Sequence, residues 1–350
     1  MKRSLTNPRL SAWAVVLSLV FASLTSAADK LPAEKAGTIG EPTGKIAFIR
    51  DKNIWMMDAR GGNQMKVCEA ANADGRLSWS PDGREILFTR SGRVSLNGPN
   101  MLGGNHKVYD IFKALVDSAE TGATWFWYQL TDNMGSRDPE WSADGETVLF
   151  YRDMNANYVN AELPNYQICT MDPLGNNTKV LRKDWQNMGE YFISPSRSAD
   201  GDIAFVHFVT TQPAVDRPGG FKSVGLAKLN ENDFMVSLEE VSKQSSRNTN
   251  AVAPSWSPDG KWIAYISNKL TDPGIFIASA DFSEKYLVFA PPPATSMYTM
   301  APSFSPDSKW LTFATTDGSI WICDITGNGA KRLTGPGLDL APSWSKGPVK

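Results

Sequence analysis

The sequence predicts an all-β fold, a six-bladed β-propeller of four-stranded antiparallel blades, on three observations. One hairpin phrase recurs along the chain. Short strand-like segments follow each copy and complete sets of four. The first set lacks its opening strand, and the C-terminus carries a spare one.

The phrase is fullest at Ala253-Pro254-Ser255-Trp256-Ser257-Pro258-Asp259-Gly260-Lys261-Trp262-Ile263-Ala264-Tyr265. It reads as a strand, a tight turn and a second strand. Pro258 presets φ for a type I turn, and Gly260 takes the φ > 0 position behind it, the chemistry of a short hairpin. The phrase returns as Leu77-Ser78-Trp79-Ser80-Pro81-Asp82-Gly83, Pro139-Glu140-Trp141-Ser142-Ala143-Asp144-Gly145 and Pro195-Ser196-Arg197-Ser198-Ala199-Asp200-Gly201. It appears again at Pro302-Ser303-Phe304-Ser305-Pro306-Asp307-Ser308, and Pro342-Ser343-Trp344-Ser345 stops after its first strand. Recurrence at about 40–60 residues marks a repeat architecture.

In chain order, residues 1–27 read as a secretory signal. Lys2, Arg3 and Arg9 precede an apolar run from Ala12 to Leu24, then Thr25-Ser26-Ala27-Ala28. Basic head, apolar core and small-residue cleavage site have that meaning. The alternative, a transmembrane anchor, needs roughly 20 apolar residues, more than the run supplies. Removing those three cations takes the formal charge from −2 to −5, with none of the basic stripe a nucleic-acid partner would require. Residues 28–43, rich in Ala, Gly, Pro and Lys, read as a flexible leader before a propeller at 44–350. At 41% hydrophobic and 21% charged the chain is globular. Cys68, Cys169 and Cys323 are too few and odd in number for a disulfide framework and sit in strand-like segments as small buried hydrophobes.

The first set holds Ile46–Arg50, Ile54–Asp58 and Gln64–Cys68, with a turn at Ala59-Arg60-Gly61-Gly62. The second has its Trp79 strand, Glu85–Thr89, one within Tyr109–Asp117, and Trp125–Thr131. The third runs through Trp141, Thr147–Tyr151, Gln167–Asp172 and Thr178–Leu181. The fourth carries Arg197 in the tryptophan position, then Ile203–Phe208, Val224–Leu229 and Met235–Val241. The fifth has Trp256, Trp262–Ser267, Gly274–Ser279 and Lys285–Phe289, and the sixth Phe304, Trp310–Ala314, Ser319–Asp324 and Lys331–Thr334. Short β-branched and aromatic strands between Gly/Pro/Asp turns argue all-β, and four-stranded units in tandem argue blades. Joining the spare strand to the incomplete first set gives six complete blades and removes an open edge. Within the innermost strand the recurring Trp faces small residues on the neighbouring blade, so it is core.

The phrase Pro-x-Trp-Ser-Pro-Asp-Gly-Lys-x-Ile-Ala-Tyr, followed by a strand ending in Met-Asp or Cys-Asp and a Lys-Arg-Leu-Thr strand, resembles the TolB-like propeller repeat, a distant relation of WD repeats. The resemblance covers nearly the whole mature chain. It implies a periplasmic or otherwise exported propeller that serves as a protein-binding platform. TolB itself carries a further α/β domain before the propeller, and the leader here is too short for one, so the resemblance is to the propeller alone.

Catalytic motifs are absent from the sequence. His106 and His207 are the two histidines, there is no Gly-x-Ser-x-Gly elbow, and no His-Glu-x-x-His or Cys-x-x-Cys pairing exists. The expectation is a non-enzyme with no cofactor and no metal. The turn aspartates Asp82, Asp144, Asp200, Asp259 and Asp307 recur as turn chemistry.

Departures from the repeat mark the candidate binding surface. The loops between second and third strands are long in three consecutive blades: Ser91–Lys107 with Asn100 and His106, Asp153–Pro164 with Asn155 and Tyr158, and Val209–Lys222 with Arg217. Loops between blades add Arg137, Trp185, Tyr191 and Tyr298 on the same rim. Function concentrates in such loops, and Tyr, Trp and Arg are favoured anchors. A second anomaly is Glu140, where the other copies have Ser, together with Arg197; in consecutive blades these are expected to pair near the channel. The sequence therefore predicts an exported, monomeric scaffold binding a protein or peptide in the cell envelope through the rim of blades two to four. The alternative is a polysaccharide-binding or polysaccharide-active propeller using carboxylates and aromatics in the central funnel.

Overall fold

The structure, a computed structural model, describes residues 29–69, 72–95, 105–116, 126–156, 164–181, 190–210, 220–229, 235–240, 251–269, 272–292 and 302–346. The signal reading at 1–27 lies outside them. A short helix α1 (Ala33–Ala36) precedes β1 (Lys45–Arg50), β2 (Asn53–Asp58) and β3 (Met65–Cys68). Blade two holds β4 (Ala73–Trp79), β5 (Glu85–Ser95), β6 (Asn105–Leu115) and β7 (Trp127–Gln129). Blade three holds β8 (Ser136–Trp141), β9 (Val148–Asp153), β10 (Tyr166–Met171) and β11 (Lys179–Val180). Blade four holds β12 (Glu190–Arg197), β13 (Ile203–Thr210), β14 (Gly220–Leu229) and β15 (Met235–Glu240). Blade five holds β16 (Ala251–Trp256), β17 (Trp262–Lys269), β18 (Asp272–Ser279) and β19 (Lys285–Phe289). Blade six holds β20 (Ser303–Phe304), β21 (Trp310–Thr315), β22 (Ser319–Asp324) and β23 (Lys331–Arg332), and β24 (Asp339–Trp344) follows.

Six four-stranded antiparallel sheets result, and the first has the order β24-β1-β2-β3. The C-terminal strand thus completes blade one, pairing Ile46 with Trp344 and Arg50 with Asp339. Arg50 fixes that register from the side: its Nε and Nη2 donate to the two carboxylate oxygens of Asp339, each at 2.7 Å. Asp339 is buried, which excludes competing water and strengthens the fork.

The core lies in the seams between blades. Trp79 packs with Ile49, Met56 and Phe88 between blades one and two, and Trp141 with Leu87 and Phe150 between two and three. Phe304 joins Ile277 and Leu311 between five and six, and Trp344 joins Phe48 and Ile322 between six and one. All five aromatic slots are buried. The three cysteines are free and buried within these seams. Burial pushes the Cys68 thiol up to about 11 and the Cys169 thiol to about 12, so both stay protonated and unreactive.

Two expectations are corrected. The leader is docked rather than flexible: Leu31 and Ala36 are buried in the seam of blades five and six, the Asp29 carbonyl accepts from Leu287 N–H at 2.9 Å, and Trp310 Nε1 donates to the Gly40 carbonyl at 3.0 Å. One buried leucine and four-residue α1 suffice to hold a segment that shows no apolar period in the sequence. The long loops of blades two and four are also shorter than expected, because pairing continues. β5 and β6 stay in register out to Ser95 opposite Asn105, and β13 and β14 out to Thr210 opposite Gly220. The outermost strands of blades two, three and six are correspondingly brief.

Deleting Gly337–Lys350 removes β24 and exposes β1 as an edge. A cost of several kcal/mol is expected against a total of about 5–15 kcal/mol. A thermal melt reads it; an unchanged midpoint would mean that blade one is complete without β24.

Candidate functional site

The innermost strands carry a recurrent bulge. Asp138, Ser194, Ala253 and Ala341 lie in the left-handed region, with φ between 49° and 56°, and each precedes a proline. Proline has no N–H for the ladder, so pairing skips two residues there. Blade two differs: Leu77 replaces the proline and pairs with Phe88, and the ladder break moves back onto Gly75 and Arg76. Gly75, with φ 74°, allows the close approach of Asp138, since a Cβ there would meet Asp138 Oδ1 at 2.5 Å. Arg76 is thereby delivered to the channel.

Arg76 crosses it. Nη1 donates to Glu140 Oε2 at 2.6 Å and to the Pro195 carbonyl at 2.7 Å, and Nη2 donates to the Pro254 carbonyl at 2.6 Å. One side chain from blade two therefore binds blades three, four and five. Both members of the Arg76–Glu140 pair are about nine-tenths buried.

Glu140 has a second task that explains its place in the repeat. In other blades the serine of this slot accepts the backbone N–H of the aromatic slot in the next blade: Ser78 from Trp141, Ser196 from Trp256, and Ser303 from Trp344, at 2.9–3.0 Å. Glu140 Oε1 does the same for Arg197 N–H at 3.2 Å. The longer side chain keeps the inter-blade bond and has a second oxygen left for Arg76. The expected Glu140–Arg197 side-chain pair is corrected accordingly: the two residues meet, but through the Arg197 backbone. The Arg197 guanidinium instead follows the direction of the tryptophans it replaces and donates from Nη1 to Thr147 Oγ1 at 3.3 Å.

Above this bridge a cavity of about 370 Å³ opens toward the Ser-Pro-Asp-Gly turns, lined by Pro81, Ala143, Ala199 and Pro258 at its mouth and by Trp256, Phe304 and Trp344 on its walls. Lys346, just beyond β24, reaches across from blade one and donates from Nζ to the Trp141 carbonyl at 2.7 Å. Crowding by the channel walls holds its ammonium below the usual lysine range; Glu140 opposes this and Arg76 adds to it. The turn aspartates stay outside this chemistry. Ser80 and Ser142 hydroxyls donate to Asp82 and Asp144 and hold both carboxyls below the usual range.

The opposite rim carries the hairpins of blades two to four. Arg137 in β8 lies with its guanidinium carbon 3.7 Å from the Tyr109 ring centroid and opposite Tyr151 in the ladder. Tyr151, Tyr166 and Tyr191 continue edge to face, with centroids 5.6 Å apart at both steps. Arg137 Nε is buried without a hydrogen-bond partner; the ring face offers it cation–π attraction instead. Burial, and then Asp138, pushes the Tyr151 phenol well above its ordinary range, and burial with Asp153 raises that of Tyr166.

The structure thus brings together Arg137 and Tyr191, although Tyr191 is buried as a wall of the cluster. The Asn155 N–H closes its loop onto Asp153 Oδ1 at 2.9 Å. His106 lies in β6 opposite Val94. Asn100, Tyr158, Trp185, Arg217 and Tyr298 lie outside the described residues. Sequence reasoning missed Arg76 and Lys346. For Arg76 the signal was Leu77 standing in the proline position; for Lys346 there was none, because its contact is made across the ring.

No protein-family model matches the chain, and no curated protein matches its sequence. Solved structures do match in fold. TolB from Acinetobacter baumannii superposes with a TM-score of 0.62 over 87% of this chain and 67% of that one, at 18% identity. A putative TolB from Agrobacterium tumefaciens gives 0.55 over 87% and 92%, at 14% identity. A chain of a nidogen/laminin complex gives 0.57 over 86% and 98%, at 7% identity. The fold is that of a TolB-like six-bladed propeller.

Glu140→Ala should cost about 3–5 kcal/mol by leaving Arg76 buried and uncompensated. Adding Arg76→Leu to Glu140→Ser should show a coupling of about 1–3 kcal/mol in a double-mutant cycle measured by chemical denaturation. Arg197→Trp should instead add independently to either change. Coupling of Glu140 to the Arg197 side chain, and none to Arg76, would reverse the assignment.

Proposed function

We propose that this chain is an exported, non-catalytic propeller scaffold that binds a protein or peptide partner of the cell envelope through the rim of blades two to four. The observation that carries the reading is the Tyr109–Arg137–Tyr151–Tyr166–Tyr191 cluster beneath the hairpins of those blades. It is built from residue types that dominate binding energy. The β5–β6 and β13–β14 ladders extend stiff arms beyond this floor. Rigid elements under variable loops are how recognition surfaces are usually supported.

Export rests on the charge and apolar pattern of residues 1–27. Among the described residues no helix is long and apolar enough to cross a membrane. The polysaccharide-cleaving alternative asks for two carboxyl groups facing one bond. Among the described residues the cavity is lined by one, Glu140, and its charge is held by Arg76.

Replacing residues 96–104 and 211–219 by short turns should abolish capture of the partner from the exported fraction, with the melting temperature nearly unchanged, since closure entropy varies slowly with loop length. Arg137→Ala in the intact chain should weaken capture by roughly tenfold or more, the range of an interface anchor. Undiminished capture by both variants would move the site away from this rim.

A further inference from the structure

The channel on the turn side has a charge imbalance that the rim reading leaves unused. Among the described residues three cations line it, Arg76, Arg197 and Lys346, against the one lining carboxylate of Glu140. They come from blades two, four and one, and all lean on blade three, on Glu140, Thr147 and the Trp141 carbonyl respectively. Arg76 is satisfied by Glu140 and two carbonyls. Arg197 and Lys346 are held differently: among the described residues their hydrogen-bond acceptors are neutral, Thr147 and the Trp141 carbonyl, and donors on both cations remain. Asp144, whose Oδ1 accepts from the Ser142 hydroxyl and the Glu146 N–H, attracts Arg197 electrostatically but makes no hydrogen bond to it, and it does not line the cavity.

A surplus of like charge in a cleft with low-dielectric walls focuses a positive potential and draws in an anion. The walls specify the rest of the ligand. Trp256, Phe304, Trp344 and flanking prolines offer apolar surface around about 370 Å³, the size of a small organic molecule or one large side chain with its backbone. We infer that this cavity binds an organic carboxylate, its apolar body against the tryptophans and its carboxylate at Lys346 and Arg197, with Arg76 and Glu140 forming the closed floor. Burial depresses the Lys346 ammonium, Glu140 offsets this in part and Arg76 adds to it, so an anion bound beside Lys346 would favour its charged form. The site is on the rim opposite the hairpins, so it stands or falls independently of the partner proposal.

Such a carboxylate belongs either to a free small acid or to the C-terminus of a peptide. Calorimetric titration of the full chain with hydrocinnamate, hydrocinnamamide, acetyl-Ala-Ala-Phe and its terminal carboxamide separates them. Each carboxylate should bind at least about tenfold more tightly than its amide, as a charge-assisted hydrogen bond implies. Lys346→Met and Arg197→Trp should each remove a similar factor from the carboxylate and none from the amide. Arg197→Trp restores the residue type of the other blades and is expected to fold; a melting curve for each variant checks this. A peptide acid that outbinds hydrocinnamate points to a chain terminus, and one that does not points to a free acid. The inference fails if acid and amide bind alike, if neither binds, or if carboxylate affinity survives both substitutions.

Discussion

The bond on which the ring depends is a small one. A backbone N–H in the aromatic slot of one blade donates to a side-chain oxygen on the blade before it, as Trp141 does to Ser78 and Trp256 to Ser196. Among the described residues it is made in four of the six seams, on the innermost strands, and where it is buried an unmade bond carries its full desolvation cost. It sets the rotation of one sheet against the next and so lets the large aromatic meet small residues. Blade three keeps the bond with a glutamate, and that one change turns a purely structural contact into an electrostatic one.

Much of this is legible in the chain. The closure of blade one by the C-terminal strand follows from counting strands, because turn residues punctuate the repeat so regularly. The buried fate of the tryptophans follows from strand alternation, and the inertness of the turn aspartates from their spacing after serine. What escapes is whatever depends on ladder register. Glu140 and Arg197 are visible as anomalies, but Arg76 becomes the partner of Glu140 through a bulge displaced by the absence of one proline. Lys346 and Trp141 are 205 residues apart in sequence and meet only because the ring brings blades one and three across a common axis. The leader escapes for a different reason: a short segment with one buried leucine has no period to detect.

The two faces of the propeller are unlike in chemistry. On the hairpin side the Arg137 guanidinium and the Lys107 ammonium both lie over the Tyr109 ring, and Tyr151 and Tyr191 are buried behind it. On the turn side the aromatics are recessed and the cations Arg76, Arg197 and Lys346 line the cavity. Blade three stands at the junction of both, supplying Arg137 to one and Glu140 to the other from within a single strand, β8.

The way blade one is completed also bears on when the molecule can become itself. Arg50 and Asp339 are separated by 289 residues, so the first sheet to leave the ribosome is the last to be finished. Until β24 arrives, β1 has no inner neighbour and the seam between blades six and one lacks Trp344. Contacts of such long sequence separation form late and slowly, because the loop must be closed before they contribute. A chain built in this order stays unlatched throughout synthesis.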